Sequence, residues 1–578
     1  MPHRTATLLW RAFLAAALVS AVGLLPWLSR TDPALTVLKA RSAERDPDPE
    51  VLATIRTQLG LDDGPLRLLG QWLTGLPRGD AGRSWISGAE VMPAVLQALG
   101  ASLLLMGAAT AVALVTAGLV CVRTLRRGGR TADRPGGTGS AALAALPEFL
   151  TASVLATVVG VQLGWLPALG WYGPRWMVLP ALALGLPAGA VLGRLLDDLL
   201  PGAFGEPWVR AAAARGLSGR RIARQAVRRC LPGLLPNMGL FVVGLTGGAV
   251  AVEQIFDIPG LGRTTLQAAL AQDLPVLQAG TLALLLLAAV AAGLTRLAAR
   301  LLIGPALGAD ALPSLHGPST PTPRRTLPFV YGALLLGVVA LGLPRDPLAL
   351  DTGLRLQHPT WAHPFGTDAL GRDLLARVAH GAVDTLLLAL AISAVALGTG
   401  VLLGLLPRLS RPLVDTVNAV PPVLAALLVT AVAGSGAGTP TFAVAALAWT
   451  PLAAHTSALL LQERATLHVT ATRGLGAGRW HILRHSLLPA VLPPVTRHAL
   501  LRLPGVALAL ASLGFLGLGA QPPSPEWGLL LAENQPYAER APWAVLVPAA
   551  VLALLGALAV TAAGSMQGAS ARRELAAR

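Results

Sequence analysis

Apolar residues along this chain gather in blocks of roughly 20, the length that crosses a bilayer core, separated by short polar segments. Candidate spans fall near 8–28, 94–121, 141–163, 176–196, 233–252 and 276–300, then near 327–344, 385–406, 416–434, 441–461, 496–519 and 543–566. The pattern predicts an all-α integral membrane protein with about 12 transmembrane helices in two sets of six. Two arginine-rich interruptions repeat one plan. Glu206 to Pro232 reads EPWVRAAAARGLSGRRIARQAVRRCLP and Glu463 to Pro489 reads ERATLHVTATRGLGAGRWHILRHSLLP. In each, small helix-compatible residues lead to a glycine (Gly216, Gly476) that breaks or turns the helix, and a Leu-Pro step restarts it. Each interruption is expected to present short helices outside the membrane, as a docking element.

Basic residues give the orientation. Arg123, Arg126, Arg127, Arg130 and Arg134 lie between spans two and three, the first docking stretch lies between four and five, and Arg296 and Arg300 close span six. Arg408 and Arg411, the second docking stretch, and Arg572 and Arg573 take the equivalent places downstream. The opposite loops are more acidic, with Asp46, Asp48, Glu50, Asp62 and Asp63, then Asp257 and Asp273. The positive-inside rule then places both termini in the cytoplasm. Six spans return the chain to its starting side, so the second half is a parallel repeat of the first.

The expected organisation is a first helix with an extracytoplasmic helical segment (1–93), a first transmembrane domain (94–303), a Pro-rich cytoplasmic linker (304–326), a helix with a second extracytoplasmic segment (327–381), a second transmembrane domain (382–566) and a cytoplasmic tail (567–578). Between Glu50 and Leu76, Leu52, Ile55, Leu59, Leu66, Leu69 and Leu73 recur at helical spacing. That segment fits either a small subdomain or a helical hairpin on the membrane surface. Arg4 and Arg11 precede the first apolar block, but no small-x-small cleavage site follows, which favours a retained span.

Composition agrees with a bilayer protein: 54% of the 578 residues are hydrophobic and 13% charged, against about 25% charged in soluble domains. A net charge of +16 raises nucleic acid as a partner. With aromatics sparse and arginines confined between apolar blocks, topology explains the charge and no nucleic acid is expected. Cys121 and Cys230 imply no disulfide framework.

Ionisable groups inside the spans are few. Glu148, Glu253, Asp384 and Arg502 lie near span ends, and His455 alone lies well inside one, read as a histidine bonded to a neighbouring span. An ion-coupled carrier keeps buried carboxylates for its cycle, so their scarcity leaves an ion-coupled secondary transporter as a distant alternative. Lys39, the single lysine, has no glycine-rich turn before it, which excludes a P-loop. ATP-driven transport would therefore need a separate ATPase. His481 and His485 have i, i+4 spacing, without an HExxH pattern or a third ligand, and His358 and His363 flank a loop. No metal site is expected. Gly434-Ser435-Gly436 is not GxSxG, and nothing reads as a catalytic site.

The docking stretches resemble the EAA loops of type I ABC-importer permeases: a small-residue triplet, then a glycine, then Leu-Pro. Thr470-Ala471-Thr472, Gly476, Ser486 and Leu488-Pro489 carry the pattern, as do Arg210-Ala211-Ala212, Gly216 and Pro232 at a longer interval. The naming glutamate is replaced by Arg210 and Thr470. Other blocks resemble the dipeptide/oligopeptide/nickel permeases. The first half is similar to the B-type subunit through Gly79-Asp80-Ala81-Gly82-x-Ser84, Leu163-Gly-Trp-Leu-Pro167, Leu179-Pro-Ala-Leu182 and Glu253-x-x-Phe256-x-x-Pro259-Gly-Leu-Gly262. The second is similar to the C-type subunit through His363-Pro-Phe-Gly-Thr-Asp368-x-x-Gly371-Arg-Asp373 and Ser512-Leu-Gly-Phe-Leu-Gly-Leu-Gly519-x-Gln521-Pro-Pro-x-Pro525-x-Trp527-Gly528. The chain thus resembles a fusion of B-type and C-type subunits.

The resemblance implies a permease in the cell membrane of a bacterium, carrying peptides handed over by an extracytoplasmic solute-binding protein, with nickel chelates or another small solute as the alternative cargo. It implies two ABC ATPase subunits at the cytoplasmic face. These use ATP and Mg, while this chain binds no cofactor. The coupling residues so implied are Arg210, Ala211, Ala212, Arg215, Gly216, Leu217 and Arg221 in the first loop, and Thr470, Ala471, Thr472, Arg473, Gly476 and Arg479 in the second. Their arginines would face the ATPases or phospholipid headgroups. Pro259, Gly260, Gly262, Gln521, Pro522, Pro523 and Trp527 would shape the extracytoplasmic gate or the binding-protein contact.

Overall fold

The computed structural model describes residues 48–59, 64–128, 138–303, 326–407, 422–434 and 438–576, with scattered positions between 13 and 38 and between 410 and 436. The expected span at 8–28 lies partly outside the described residues. The linker, apart from residue 326, lies outside them, as do Arg4, Arg11, Lys39, Asp46, Asp62, Asp63, Arg130, Arg134, Arg408, Arg411 and Ser435. Among the described residues there are helices, turns and two isolated β-bridges.

Besides short helices at Leu25–Leu28 and Thr138–Ala145, the helices in chain order are α1 (Pro49–Gln58), α2 (Pro65–Gly75), α3 (Val91–Arg127), α4 (Glu148–Leu155, continued by a π-turn to Gln162), α5 (Pro174–Gly205), α6 (Pro207–Ala214), α7 (Gly219–Ile255), α8 (Leu261–Leu270) and α9 (Leu274–Ile303). They continue with α10 (Thr326–Gly342), α11 (Leu374–Gly404), α12 (Pro422–Ala433), α13 (Gly438–Arg464), α14 (Leu467–Gly474), α15 (Arg479–Phe515, with a π-turn at Leu483–Leu487), α16 (Trp527–Asn534) and α17 (Pro542–Ala576). Among the described residues, 7 helices are long and apolar enough to cross a membrane, and α4, α10 and α12 are shorter apolar helices. Their outer faces carry exposed Leu104, Val115 and Leu119 on α3, and Leu387, Leu390 and Val395 on α11. Such faces suit lipid.

The chain forms two compact units, and each draws on both sequence halves. The first unit comprises residues 1–96, 264–283 and 380–532, and the second comprises 97–263, 284–379 and 533–578. Within the second, α7 and α4 pack on α5, and α17 packs on α4 and α10. Within the first, α13 packs on α15 and α12. The periodic segment at 50–76 forms α1 and α2. Asp48 caps α1 by accepting from the Glu50 N–H, and Leu69 and Trp72 of α2 lie against Gly23.

One joint recurs. On α5, Gly185, Gly189 and Gly193 are four residues apart and face Ala109, Val112, Ala113, Thr116 and Ala117 of α3. A Cβ at any of the three would collide with the α3 backbone or with Val112, Thr116 or Val120. The Cys121 thiol reaches the Gly193 carbonyl at 3.2 Å. In the other half the glycines change sides: Gly400 and Gly404 of α11 meet Leu452, Ala453 and Thr456 of α13, and Ser457 donates to the Gly404 carbonyl at 3.0 Å. In lipid, apolar side chains gain little by leaving the acyl chains for one another, so small residues that let backbones approach supply the dispersion and hydrogen bonds that hold helices together.

The docking stretches depart from the expected helix restart. Helix resumes at Gly219 and at Arg479, well before Pro232 and Pro489. Pro489 is accommodated because the π-turn at Leu483–Leu487 immediately precedes it and absorbs the missing N–H.

Gly189→Val places methyl groups where the Ala113 carbonyl already stands. A loss of about 1–3 kcal/mol or more is expected from forced helix separation, read as a lower thermal midpoint in detergent. Gly205→Val, whose Cβ would meet nothing within 4 Å, serves as the control without that collision.

Candidate coupling helices and extracytoplasmic loops

The two docking stretches converge on one backbone geometry. Helix α6 ends with Arg215 as C-cap, and Gly216 follows at φ +75°. The Gly216 N–H donates to Ala213 O at 3.0 Å and the Leu217 N–H to Ala212 O at 3.1 Å. Helix α14 ends at Leu475, Gly476 follows at φ +90°, and the same bonds run from Gly476 N–H to Arg473 O at 3.0 Å and from Ala477 N–H to Thr472 O at 3.3 Å. Both are Schellman ends, in which the residue after the cap is left-handed and two orphan carbonyls are satisfied. A Cβ on either glycine would meet nothing within 4 Å. These glycines are therefore required by their dihedral angles, not by close approach.

Each short helix is held from beneath and free above. Trp208, Val209 and Ala212 pack onto a buried cluster of Cys121, Leu200, Ala203, Phe204, Ile222, Ala226 and Cys230. The Glu206 carboxylate, where α6 begins, takes a forked bond from Arg229 of α7 at 2.6 and 2.8 Å. Under α14 the cluster is Leu460, Val469, Ile482 and Leu487, with Ala477 packed on it. Arg210, Ala211, Arg215, Gly216, Leu217 and Arg221 are exposed, as are Thr470, Ala471, Arg473, Gly476 and Arg479, while Ala212 and Thr472 are half-buried. Leu467, Leu475 and Trp480 are also exposed. A polar rim around exposed apolar side chains on rigid backbone is what a protein partner grips. Sequence reasoning did not single out Leu475 or Trp480.

The loops before α8 and α16 repeat a second device: a carboxylate enclosed by backbone at the start of a short helix. Glu253 at the end of α7 is fully buried. It accepts from Ser102 Oγ at 2.5 Å and from the Arg263 N–H at 2.9 Å in the first turn of α8, while Ser102 accepts the Leu261 N–H at 2.7 Å. Gly260 and Gly262 press against Glu253 so closely that a Cβ would collide with it. In the other half Glu526 accepts the N–H groups of Gly528 and Leu529 at 2.9 and 2.8 Å and so caps α16. Gly514 lies against that carboxylate, and Gly528 against the Ala511 carbonyl, with no room for a side chain at either. Burial pushes Glu526 up to about 7 from the usual carboxylate range, and its two backbone N–H bonds work the other way. Of the loop residues singled out from sequence, Pro259, Gln521, Pro522 and Pro523 are exposed, whereas Gly260, Gly262 and Trp527 are buried and shape the loops from within.

The His363–Asp373 block lies between α10 and α11, within the second unit. Arg377 is fully buried and donates at 2.8 Å to both Asp368 and Glu533. Arg372 donates to Asp368 at 2.7 Å and lies 3.2 Å from Glu533. Two cations and two carboxylates compensate one another where an unpaired charge would cost several kcal/mol. Asp373 takes Arg345 at 2.6 Å, His363 Nδ1 lies 3.3 Å from the same carboxylate without a hydrogen bond, and His358 packs edge-on to Trp543. Among the other histidines, His455 meets His498 with ring centroids 4.9 Å apart, and His481 stacks on His485 at 4.4 Å. Among the described residues no group of three His, Cys, Asp or Glu could hold a metal ion.

Two outcomes follow from this geometry. Gly216→Ala strains a left-handed position by about 1–2 kcal/mol, whereas Gly216→Asn costs less. Limited proteolysis at residues 215–219 should accelerate for Ala and change little for Asn. A carboxyl group with its folded-state pKa raised binds its proton more tightly in the native state. Glu526 therefore favours the fold below about pH 4.5, and that contribution is lost as pH rises toward 7. Glu526→Gln keeps an acceptor for the cap, so its thermal midpoint should fall less than that of the parent between pH 5 and 8.

The binding-protein-dependent transport system inner membrane component family matches the chain twice, at residues 93–303 and 392–573. The di/tripeptide transport system permease protein of Pseudomonas aeruginosa (strain UCBPP-PA14) is 37% identical over 223 residues, 36% of this chain and 73% of that protein. A Brucella suis biovar 1 protein named as a peptide permease is 32% identical over 240 residues, 38% of this chain and 80% of that protein. A Brucella abortus (strain 2308) protein named as a peptide transport system permease is 32% identical over 296 residues, 47% of this chain and 90% of that protein. Relatives nearly covered by less than half of this chain agree with a doubled domain. The chain belongs to the family of binding-protein-dependent transport system inner membrane components and carries that family's domain two times in tandem.

Proposed function

We propose that this chain is the membrane-spanning permease component of an ATP-binding-cassette importer for peptides, with both permease halves, B-type and C-type, on one polypeptide. The observation that carries the reading is the doubled family domain, supported by two exposed helices with identical Schellman ends at equivalent places in the two repeats. Two ATPase subunits grip α6 and α14 through Arg210, Arg215, Arg221, Arg473 and Arg479, with Leu475 and Trp480 as apolar anchors. Closure of the ATPases on ATP pushes the helices, which move with α5, α7, α13 and α15 because their undersides are packed onto those elements. A soluble binding protein delivers cargo at the exposed Pro259 and Gln521–Pro523 loops. Both termini are cytoplasmic, in a bacterial cell membrane. The peptide cargo follows from the names of the relatives.

The test begins with a strain lacking this chain, supplied with a di- or tripeptide as its only source of a required amino acid. Growth should depend on the wild-type chain, and tagged chain purified in mild detergent should bring P-loop ATPases with it. Changing Gly216 and Gly476 together to Val should abolish both ATPase recovery and uptake, whereas the double Asn variant should retain them. Peptide-dependent growth without the chain would overturn the cargo. Uptake in liposomes lacking ATP would overturn the importer.

A further inference from the structure

The first unit holds a cavity of about 160 Å³ among α11, α13, α15 and the loop before α16. An apolar cavity of about 150 Å³ holds benzene, so this one has room for a group the size of a small amino-acid residue. Leu388, Pro440 and Leu510 give it apolar walls, and the absence of a side chain at Gly514 keeps Glu526 against them. Two carboxylates line it, Asp384 of α11 and Glu526, with no basic residue in the lining.

None of the described residues pairs with Asp384, which stands about 15 Å along α11 from its first residue at 1.5 Å per residue. Glu526 uses one lone pair on each oxygen for the Gly528 and Leu529 N–H groups, and a carboxylate accepts about four bonds. A further lining residue, Thr385, is 2% exposed, and its hydroxyl has no hydrogen-bond partner among the described residues. A buried orphan hydroxyl beside an exposed aspartate and a glutamate with acceptor capacity to spare, in an apolar-walled space, suits a compact cation that also donates hydrogen bonds. An inorganic metal ion would ask for a denser oxygen cage than this. A primary ammonium has three donors and carries an apolar substituent that the Leu388, Pro440 and Leu510 walls suit.

We propose that this cavity is a subsite for the ammonium group of cargo, with Asp384 and Glu526 as its counter-charges and Thr385 as its third acceptor. For a peptide importer, that group is the free amino terminus. This last identification rests on the function proposed above, whereas the ammonium site does not.

The test separates the two. Full-length chain in lipid nanodiscs is titrated with n-propylammonium chloride, against sodium chloride at equal ionic strength, and the thermal midpoint is followed. The wild type should be stabilised by the ammonium and not by sodium. Asp384→Asn should weaken the apparent affinity about tenfold or more, the scale of a lost hydrogen bond to a charge. Thr385→Val, close in shape, should weaken it by less. Equal responses to sodium and propylammonium, or equal responses of wild type and both variants, would overturn the subsite. Cells carrying the intact transporter are then given alanyl-alanine, whose uptake should fall about tenfold in the Asp384→Asn strain. A wild-type ammonium response lost in Asp384→Asn, with no alanyl-alanine uptake in any strain, would support the subsite and overturn the peptide reading alone.

Discussion

Close approach of helix backbones is the constraint on which the rest depends. Gly185, Gly189 and Gly193 bring α5 onto α3, and Gly400 and Gly404 bring α11 onto α13. In a medium as apolar as the side chains themselves, such contacts replace the water-driven core of a soluble domain. Helix α5 leads directly into α6, and α13 into α14. Each exposed short helix therefore sits at the end of a helix fixed over most of its length. The buried clusters under α6 and α14 complete the attachment. A push on either can be carried into the unit as a rigid displacement instead of being dissipated in a loop.

Before α8 and before α16, an acid does the positioning. Glu253 draws together Ser102, the Gly260–Gly262 turn and the first turn of α8, and Glu526 does the same for α16. The two halves reached one solution from different sequences, since Glu253 precedes its glycine turn and Glu526 follows its own. Both exploit unsatisfied N–H groups at a helix start. These acids shape the loops around them from inside, and among the loop residues singled out from sequence Pro259 and Gln521–Pro523 present a surface.

How much of this was legible beforehand depended on whether the signal was local. The helix ends at Gly216 and Gly476 could be read from composition, because a left-handed residue after an alanine- or threonine-rich helix is a short-range demand. Most membrane helices were legible from hydropathy for the same reason. The roles of Glu253, Glu526 and Arg377 were not, since each is settled by partners far away in sequence: Ser102 for Glu253, Gly514 for Glu526 and Glu533 for Arg377. Pro489 misled because a π-turn, invisible to periodicity, lets helix run through it. The glycine rows were visible as letters, but which helix they would meet was not.

The make-up of the two units has a consequence for how such a protein comes into being. Residues 264–283 and 1–96 belong with 380–532, and residues 284–379 and 533–578 belong with 97–263. A ribosome that has made only the first half has therefore finished neither unit. With separate subunits, completion would wait on encounter with a partner and vary with dosage. On one chain the missing pieces arrive at a fixed local concentration, tethered and in equal number. Biogenesis becomes a first-order process, and an orphaned half has no occasion to accumulate.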